Sequence, residues 1–518
     1  MNIANGIREF ARATPDAVAV VDGDRTLTYS ALHDRSNRVA NALLGRGLQA
    51  GDRVAFICGN RLEYPEVAAG VAKAGMVMVP INPRSSASEA AFIMGHSDAR
   101  AVIADGAFAE TASAAASAGQ MRAQLSIGST AVGESYESAL EASGATDPRL
   151  WVDETSPFVI AYTSGTTGAA KGVMISHRSR CLTFYCSALE WSLGPGRRTM
   201  AVSPMHHGGG FAFAYAALHA GGTLAMLGAF DPELFLTLVE RHRIQSTFLV
   251  PTHARIIRDL GESSIGRFDL SSLETMYFNA AAFPHELKLW TLDAFGGADL
   301  HELYGSTEAA VVTNLRPADQ RRKPQSVGPP WFMNEVRLLD AEHNPVPPGS
   351  PGELYSRSPF LMNGYYQDPK ATEAATTEDG FFSAGDIAVA DDENFIYIVD
   401  RKKDLIITGG VNVYPREVEE VLIRHQAVRD VAVVGLPSDD WGEAVTAVLV
   451  TAPGVAVPDG ELDALCRREL SRHKVPRRYV ATDEIPRNAA GKILKRQLRE
   501  QLLSGPASPG SMSTPAPS

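Results

Sequence analysis

The sequence predicts an α/β chain in two parts: a large N-terminal domain of parallel sheets flanked by helices, and a smaller α+β domain after it. Three observations carry this. Short apolar, β-branched runs alternate with amphipathic runs from about residue 18 to 310. The texture becomes strand-rich from about 327 to 400. Beyond Asp400-Arg401-Lys402-Lys403-Asp404 a compact pattern of helix, two strands, helix and strand begins.

In order along the chain, the first twelve residues mix charges with apolar residues at helical spacing and lack a signal-peptide apolar block, so no secretory leader is expected. Strands are expected at 53–58, 76–80, 101–104, 158–163, 199–203, 223–226, 246–250 and 275–279, each short and bounded by Gly, Pro or Ser. Helices are expected between them, for example at 29–46, 232–242 and 285–295. Strands separated by helices imply βαβ units and sheets covered on both faces. The stretch 208–230 is apolar, with only His219 able to carry charge near neutrality, but its six glycines break it. It is read as a Gly-rich loop, a buried helix and a buried strand rather than a membrane span. After a boundary at 400/401, a helix at 414–425, strands at 428–435 and 444–451, a helix at 460–470 and a strand at 479–482 make the small domain, 401–503. The last fifteen residues, 504–518, use only Ser, Gly, Pro, Ala, Met and Thr and are expected to be a disordered tail.

Composition narrows the function. Of 518 residues, 45% are hydrophobic and 21% charged, which excludes collagen-like, disordered and disulfide-dense classes. Forty-eight basic against sixty acidic side chains give a net charge of −12, unsuited to general binding of nucleic acid or anionic membrane, although a local basic patch could hold a phosphate. Cys58, Cys181, Cys186 and Cys466 include no C-x-x-C pair, so neither a zinc knuckle nor a redox dithiol is indicated, and a reducing cytoplasm fits.

The stretch that carries chemistry is Tyr162-Thr163-Ser164-Gly165-Thr166-Thr167-Gly168-Ala169-Ala170-Lys171-Gly172-Val173, after a buried strand and before a helical run starting near Ser176. Glycines let the backbone approach a ligand. Hydroxyls and free N–H groups can wrap an anion, and Lys171 adds charge. This is a phosphate-grasping loop, but not a Walker A loop, because two residues separate Gly168 from Lys171.

This segment resembles the signature loop of the adenylate-forming superfamily, in its acyl-CoA and aryl-CoA synthetase branch of AMP-binding enzymes, and further motifs in the same order extend the likeness over about residues 1–503. The resemblance implies a small barrel-like part in the large domain and a mobile C-terminal domain. It implies that Thr163, Ser164, Gly165, Thr166, Thr167, Gly168 and Lys171 hold the phosphates. In Tyr304-Gly305-Ser306-Thr307-Glu308, Tyr304 would stack on adenine beside Gly305, Thr307 would touch the α-phosphate or acyl group, and Glu308 would help hold Mg2+. Asn279-Ala280-Ala281-Ala282 stands where the family has a Gly-rich adenine wall, which places Ala280 and Ala281 at the nucleotide. Asp386, in Ala384-Gly385-Asp386, and Arg401 would contact ribose. Lys403 matches the hinge. Gly409 and Gly410 match the loop lining the pantetheine tunnel, and Trp441 reads either as a CoA-contacting aromatic or as a core tryptophan. Pro486-Arg487-Asn488-Ala489-Ala490-Gly491-Lys492-Ile493 resembles the catalytic-lysine motif, so Lys492 joins Lys171 and His207 as the implied catalytic set.

What the likeness implies for activity is a pair of half-reactions: a carboxylic acid and Mg-ATP give an acyl-adenylate and pyrophosphate, and CoA then displaces AMP. Pro204-Met205-His206-His207-Gly208-Gly209-Gly210-Phe211 matches the segment bordering the acyl pocket. His207 would close the carboxylate end, and Phe184, Gly208, Gly209, Ala280, Leu303, Gly305, Ala310 and Val311 would line the wall. That wall suits a bulky uncharged tail, so an aromatic or medium-chain acid is expected. A long fatty chain stays open, and an amine acceptor in place of CoA is the nearest rival. The expected partners are the acid, ATP and CoA. No nucleic acid or membrane span is expected, and a homodimer is left open.

Overall fold

The computed structural model describes residues 1–117, 120–129, 132–163, 170–451, 460–487 and 493–504. The chain forms two compact units: Met1–Pro324 with Gly328–Glu335 and Ser356–Phe382, and Gln325–Val327 with Val336–Tyr355 and everything from Ser383.

Two eight-stranded sheets organise the first unit. One runs, in spatial order, Ala310–Leu315, Asp299–Ser306, Thr275–Phe278, Ser246–Leu249, Arg198–Ala201, Thr223–Met226, Val18–Asp22 and Arg25–Thr28. The other runs Gly364–Tyr365, Lys171–Ser176, Pro157–Thr163, Val77–Ile81, Arg53–Ile57, Ala99–Asp105, Ala123–Ile127 and Glu134–Ser135. Both are parallel through the middle. At one edge each turns antiparallel, through the 299–306/310–315 hairpin in one and the 157–163/171–176 hairpin in the other. These two hairpins carry the motifs that the sequence singles out.

The parallel strands are buried on both faces, which explains their unbroken apolar runs; Val77–Ile81 is buried at every residue. The helix expected at 29–46 is Tyr29–Gly45, started by the Thr28 side chain accepting from Ala31 N at 3.1 Å. The helix expected at 232–242 is Pro232–His242, with Asp231 as its cap and proline in its first turn. Helix Glu63–Lys73 is buried along its whole length.

Two local expectations are corrected. The glycines at 208–210 form no loop: Gly208–His219 is one helix with His207 at its N-cap. A Cβ on Gly210 would lie 2.1 Å from the Pro204 carbonyl oxygen, so close packing of the first turn requires glycine there. Nor does Lys171 sit in a loop. Lys171–Ser176 is a strand, and Ser176 then caps helix His177–Trp191 by accepting from Ser179 N at 3.1 Å.

The second unit contains most of a four-stranded sheet, ordered Glu335–Leu339, Gly352–Arg357, Phe382–Ala390, Ile396–Arg401. It also holds the α+β pattern predicted from 401 onward. Its sheet orders Val411–Val413, Ile406–Thr408, Gly442–Thr451 and Val428–Ser438, with Arg478–Ala481 joined parallel to Gly442–Thr451. Helices Pro415–Leu422 and Glu461–Glu469 cover a core that includes Ile406, Val418, Leu422, Val433, Leu449 and Cys466. Ser504 ends the last helix, Lys495–Ser504, and the remainder of the expected tail, 505–518, lies outside the described residues. Among the described residues no helix is long and apolar enough to cross a membrane.

Candidate active site

In the first unit the site begins at the 157–176 hairpin. Thr163 pairs with Lys171 across it. Ser164, Gly165, Thr166, Thr167 and Gly168, expected at the phosphates, lie outside the described residues, as does Lys492. Gly172 is forced by packing: a Cβ there would meet Ile160 Cγ2 at 2.8 Å and Tyr162 Cζ at 3.2 Å.

A short strand, Gly364–Tyr365, pairs with 171–176 and brings in a residue the sequence reading missed. The Lys171 ammonium lies 4.8 Å from the centre of the Tyr365 ring. The Tyr365 hydroxyl donates to Glu308 Oε1 at 3.0 Å. One tyrosine therefore links the expected phosphate lysine to the expected metal carboxylate.

Glu308 stands at the tip of the other hairpin. Tyr304 faces Thr313, Gly305 faces Val311 and Ser306 faces Ala310, with the register shifting between Tyr304 and Gly305. Ala310 takes a left-handed φ of 55°, and Ser306 Oγ accepts from Ala309 N at 3.1 Å. A three-residue hairpin loop closed by a left-handed residue presents its tip side chains outward, here Thr307 and Glu308. Gly305 cannot be replaced in this geometry, since a Cβ would fall 1.8 Å from the Ala310 carbonyl oxygen. Below the tip, Leu303 and Val311 are buried and Ala310 packs against the same core.

The helix that begins at His207 meets this hairpin: a Cβ on Gly208 would lie 3.7 Å from Thr307 Oγ1, while Gly209 faces the Phe248 and Phe213 rings. The His206 and His207 rings are 4.4 Å apart. Both ring nitrogens of His206, and Nε2 of His207, are buried with no hydrogen-bond partner among the described residues. Burial lowers the pKa of both imidazoles, that of His206 to about 3, so both are neutral near pH 7. A helix N-terminus also disfavours an imidazolium. Phe184 is buried among Phe211, Tyr215 and His219. Ala280 and Ala281 are exposed. Ala280 holds φ at 76°, a region where a Cβ is strained, and its N–H donates to Asn279 Oδ1 at 2.6 Å.

Behind Phe213 and Phe248 the buried core continues as an aromatic stack. Trp191 lies between Tyr277, 4.4 Å away, and Trp331, 5.9 Å away, with interplanar angles of 10° and 11°. The Trp331 indole donates to Glu190, which Arg316 also grips with two bonds. These residues are scattered over 140 positions of sequence. A sequence signal existed only for the helix residues Phe211, Phe213 and Tyr215.

In the second unit, Asp386 and Arg401 face each other on paired strands, with Arg401 Nε 2.7 Å from Asp386 Oδ1. Lys403 follows on a short helical turn, Lys402–Asp404. Gly409 and Gly410 both take left-handed φ, 56° and 78°. Gly409 N donates to the Trp441 carbonyl at 2.8 Å, and a Cβ on Gly409 would come 3.2 Å from the Trp441 ring. Trp441 is partly exposed, with the Arg477 guanidinium 4.3 Å over its ring. Two of the three residues that the resemblance assigns to CoA, Gly409 and Trp441, are thus in contact, and Arg477, which has no sequence signal of its own, lies over the ring.

Comparison with known proteins places the chain. It matches the AMP-binding enzyme family over residues 7–366 and the AMP-binding enzyme C-terminal domain over residues 417–492. It is 37% identical to a feruloyl-CoA synthase of Amycolatopsis sp over 95% of this chain and 97% of that protein. Among solved structures, ATP-bound MatB from Rhodopseudomonas palustris is 29% identical with a TM-score of 0.88, over 97% of this chain and 99% of the other. The amide bond synthetase McbA from Marinactinospora thermotolerans is 29% identical with a TM-score of 0.87, over 96% and 99%. The chain belongs to the AMP-binding enzyme family and has the fold of its adenylate-forming CoA ligases.

Proposed function

We propose that the protein is an AMP-forming acid–CoA ligase that activates an aromatic or medium-chain carboxylic acid. In the first half-reaction a carboxylate oxygen bonds to the α-phosphorus of ATP while the bond from α-phosphorus to the bridging oxygen breaks and pyrophosphate leaves. In the second, the sulfur of CoA bonds to the acyl carbon, AMP leaves with the bonding electrons, and the thiol proton passes to solvent. No side-chain nucleophile is required, so the protein contributes position and charge.

The observation that carries this reading is the grouping of Lys171, Tyr365 and Glu308 on two hairpin edges, with Thr307 of the second hairpin against the helix that starts at His207. It supports a cation and a hard carboxylate for polyphosphate at one end and an apolar, aromatic wall for an acid at the other. Lys171 would offset charge on the departing pyrophosphate, together with Thr163, Ser164, Gly165, Thr166, Thr167 and Gly168. Tyr304, with Ala280 and Ala281, would receive adenine, Asp386 and Arg401 the ribose, and Lys492 the junction of carboxylate and phosphate. His207, kept neutral by burial, would bound the carboxylate end. Gly409, Gly410 and Trp441 would take the CoA arm.

The donor set suits Mg2+. Among the described residues no three His, Cys, Asp or Glu side chains gather into an all-protein cage, and one carboxylate plus substrate phosphates is the usual magnesium arrangement. Glu308 would hold the ion, which when bound supplies charge neutralisation on the phosphate oxygens. We place the domain division at 400/401 with Lys403 as hinge. We also assign the protein to the cytoplasm, a reducing setting that suits four buried, unpaired cysteines.

A panel of aryl, C6–C12 and longer acids assayed by pyrophosphate release tests the substrate class. Preference for an aryl or C6–C12 acid supports the reading, and preference for acetate over all of them rejects it. The likeness to McbA favours one second reading, an amine as acceptor. Offering CoA and amines with the preferred acid, then identifying the product, decides between them.

A further inference from the structure

We propose that Tyr365 is a positioning residue that keeps Lys171 and Glu308 apart and aimed at the same polyphosphate. This rests on the functional reading above and adds a residue to it.

The segment 362–366 is fixed from both sides. Met362 N donates to the Glu308 carbonyl at 2.7 Å, joining it to the 304–310 hairpin. Asn363 N donates to the Met174 carbonyl at 2.8 Å and Tyr366 N to the Gly172 carbonyl at 2.7 Å, joining it to the Lys171 strand. The Tyr365 N–H itself donates to Thr372 Oγ1 at 2.9 Å. With its backbone held at these points, the ring can present one face to the Lys171 ammonium and its hydroxyl to the Glu308 carboxylate.

The chemistry of the two contacts differs in a useful way. An aromatic face attracts an ammonium without cancelling its charge. Among the described residues Lys171 has no carboxylate within ion-pair distance. A phenol donating to a carboxylate fixes its direction. Without the ring between them, a flexible lysine and a nearby glutamate would close into an ion pair, and that pair would have to break whenever nucleotide and metal arrived. Tyr365 removes that competing state.

Tyr365→Phe keeps the ring and loses the hydroxyl; Tyr365→Leu loses both. A hydrogen bond to a charged group translates into about a tenfold effect, so Tyr365→Phe should raise the half-saturating Mg2+ concentration in acid-dependent ATP–pyrophosphate exchange about tenfold. Its KM for ATP at saturating Mg2+ should change less. Tyr365→Leu should additionally weaken Mg-ATP binding measured calorimetrically without acid. Both variants should melt with the parent and should transfer supplied acyl-adenylate to CoA at the parental rate, since that step uses no polyphosphate. Parental Mg2+ and ATP dependence in both variants would overturn the proposal, as would equal losses in the two half-reactions. Lys171→Met and Glu308→Gln, titrated in parallel, separate the failures. If they bind Mg-ATP like the parent, the reading of the site is wrong. If they weaken while the Tyr365 variants do not, only the role of Tyr365 is wrong.

Discussion

Gly208 faces Thr307 across the junction of helix and hairpin, leaving a gap that one methyl group would fill: a Cβ built on the glycine would sit 3.7 Å from the threonine hydroxyl. Gly210, two residues on, has no such gap, since a Cβ there would lie 2.1 Å from the Pro204 carbonyl oxygen.

Two glycines of one helical turn therefore have opposite tolerances. Gly208→Ala should fold with unchanged or slightly raised stability, because alanine is the better helix former by about 1 kcal/mol. Gly208→Leu should raise KM for a bulky acid about tenfold or more while KM for ATP holds, by the cost of overfilling a packed space. Gly210→Ala should lose about 1–3 kcal/mol of stability in denaturant melts. Equal behaviour of the two alanine variants would contradict the packing described.

Acid should destabilise the fold through histidines held neutral. Burial lowers the pKa of His177 to about 3 and of His219 to about 4, and both side chains are almost fully enclosed. Their folded pKa values lie below the unfolded value near 6.5, so the unfolded chain binds more protons between these limits. Stability should then be complete above about pH 6.5 and fall as pH drops, by about 2 kcal/mol per such histidine at pH 5. Denaturant midpoints from pH 7.5 to 5 measure this, and His177→Gln should flatten the slope. A flat profile in the parent would contradict it.

Trp441→Ala should raise KM for CoA about tenfold, the loss of one aromatic contact of 1–2 kcal/mol, and leave ATP–pyrophosphate exchange at the parental rate. The partly exposed ring, with Gly409 on one side and Arg477 above it, is what a nucleotide arm would meet. Unchanged CoA dependence would return Trp441 to a purely structural role.

Lys492→Ala should slow adenylation by about 100-fold or more, the scale for removing one charge-stabilising donor. It should spare transfer of a supplied acyl-adenylate to CoA. Single-turnover assays of each half-reaction decide this. Equal losses in a folded variant would leave Lys492 without a step of its own.

The regular elements were legible because each is a local pattern. The run 158–163 reads as strand from β-branching alone, and 285–295 as helix from its spacing; the structure has Pro157–Thr163 and His285–Ala294. Lys171 was legible as a cation near hydroxyls and glycines, but not as a strand residue. The apolar run after it is short, and although its inner partner is the neighbouring strand Pro157–Thr163, its outer partner is a two-residue segment nearly two hundred positions away. The Gly-rich start of the 208–219 helix reads as a loop because glycine has low helix propensity, whereas close packing against Pro204 selects glycine at 210. Tyr365, Arg477 and the Trp191 stack were invisible for a common reason. Each acts through contacts between distant segments, and no spacing rule encodes them.

The parallel rings of Trp191, Tyr277 and Trp331 have an optical consequence. Indoles held face to face at 5.9 Å share their electronic transitions, so two of the five tryptophans act as one coupled chromophore buried in the interior. Near-ultraviolet dichroism from that pair would report on the packing of the large unit's core itself, giving a label-free signal of its integrity in every variant compared above.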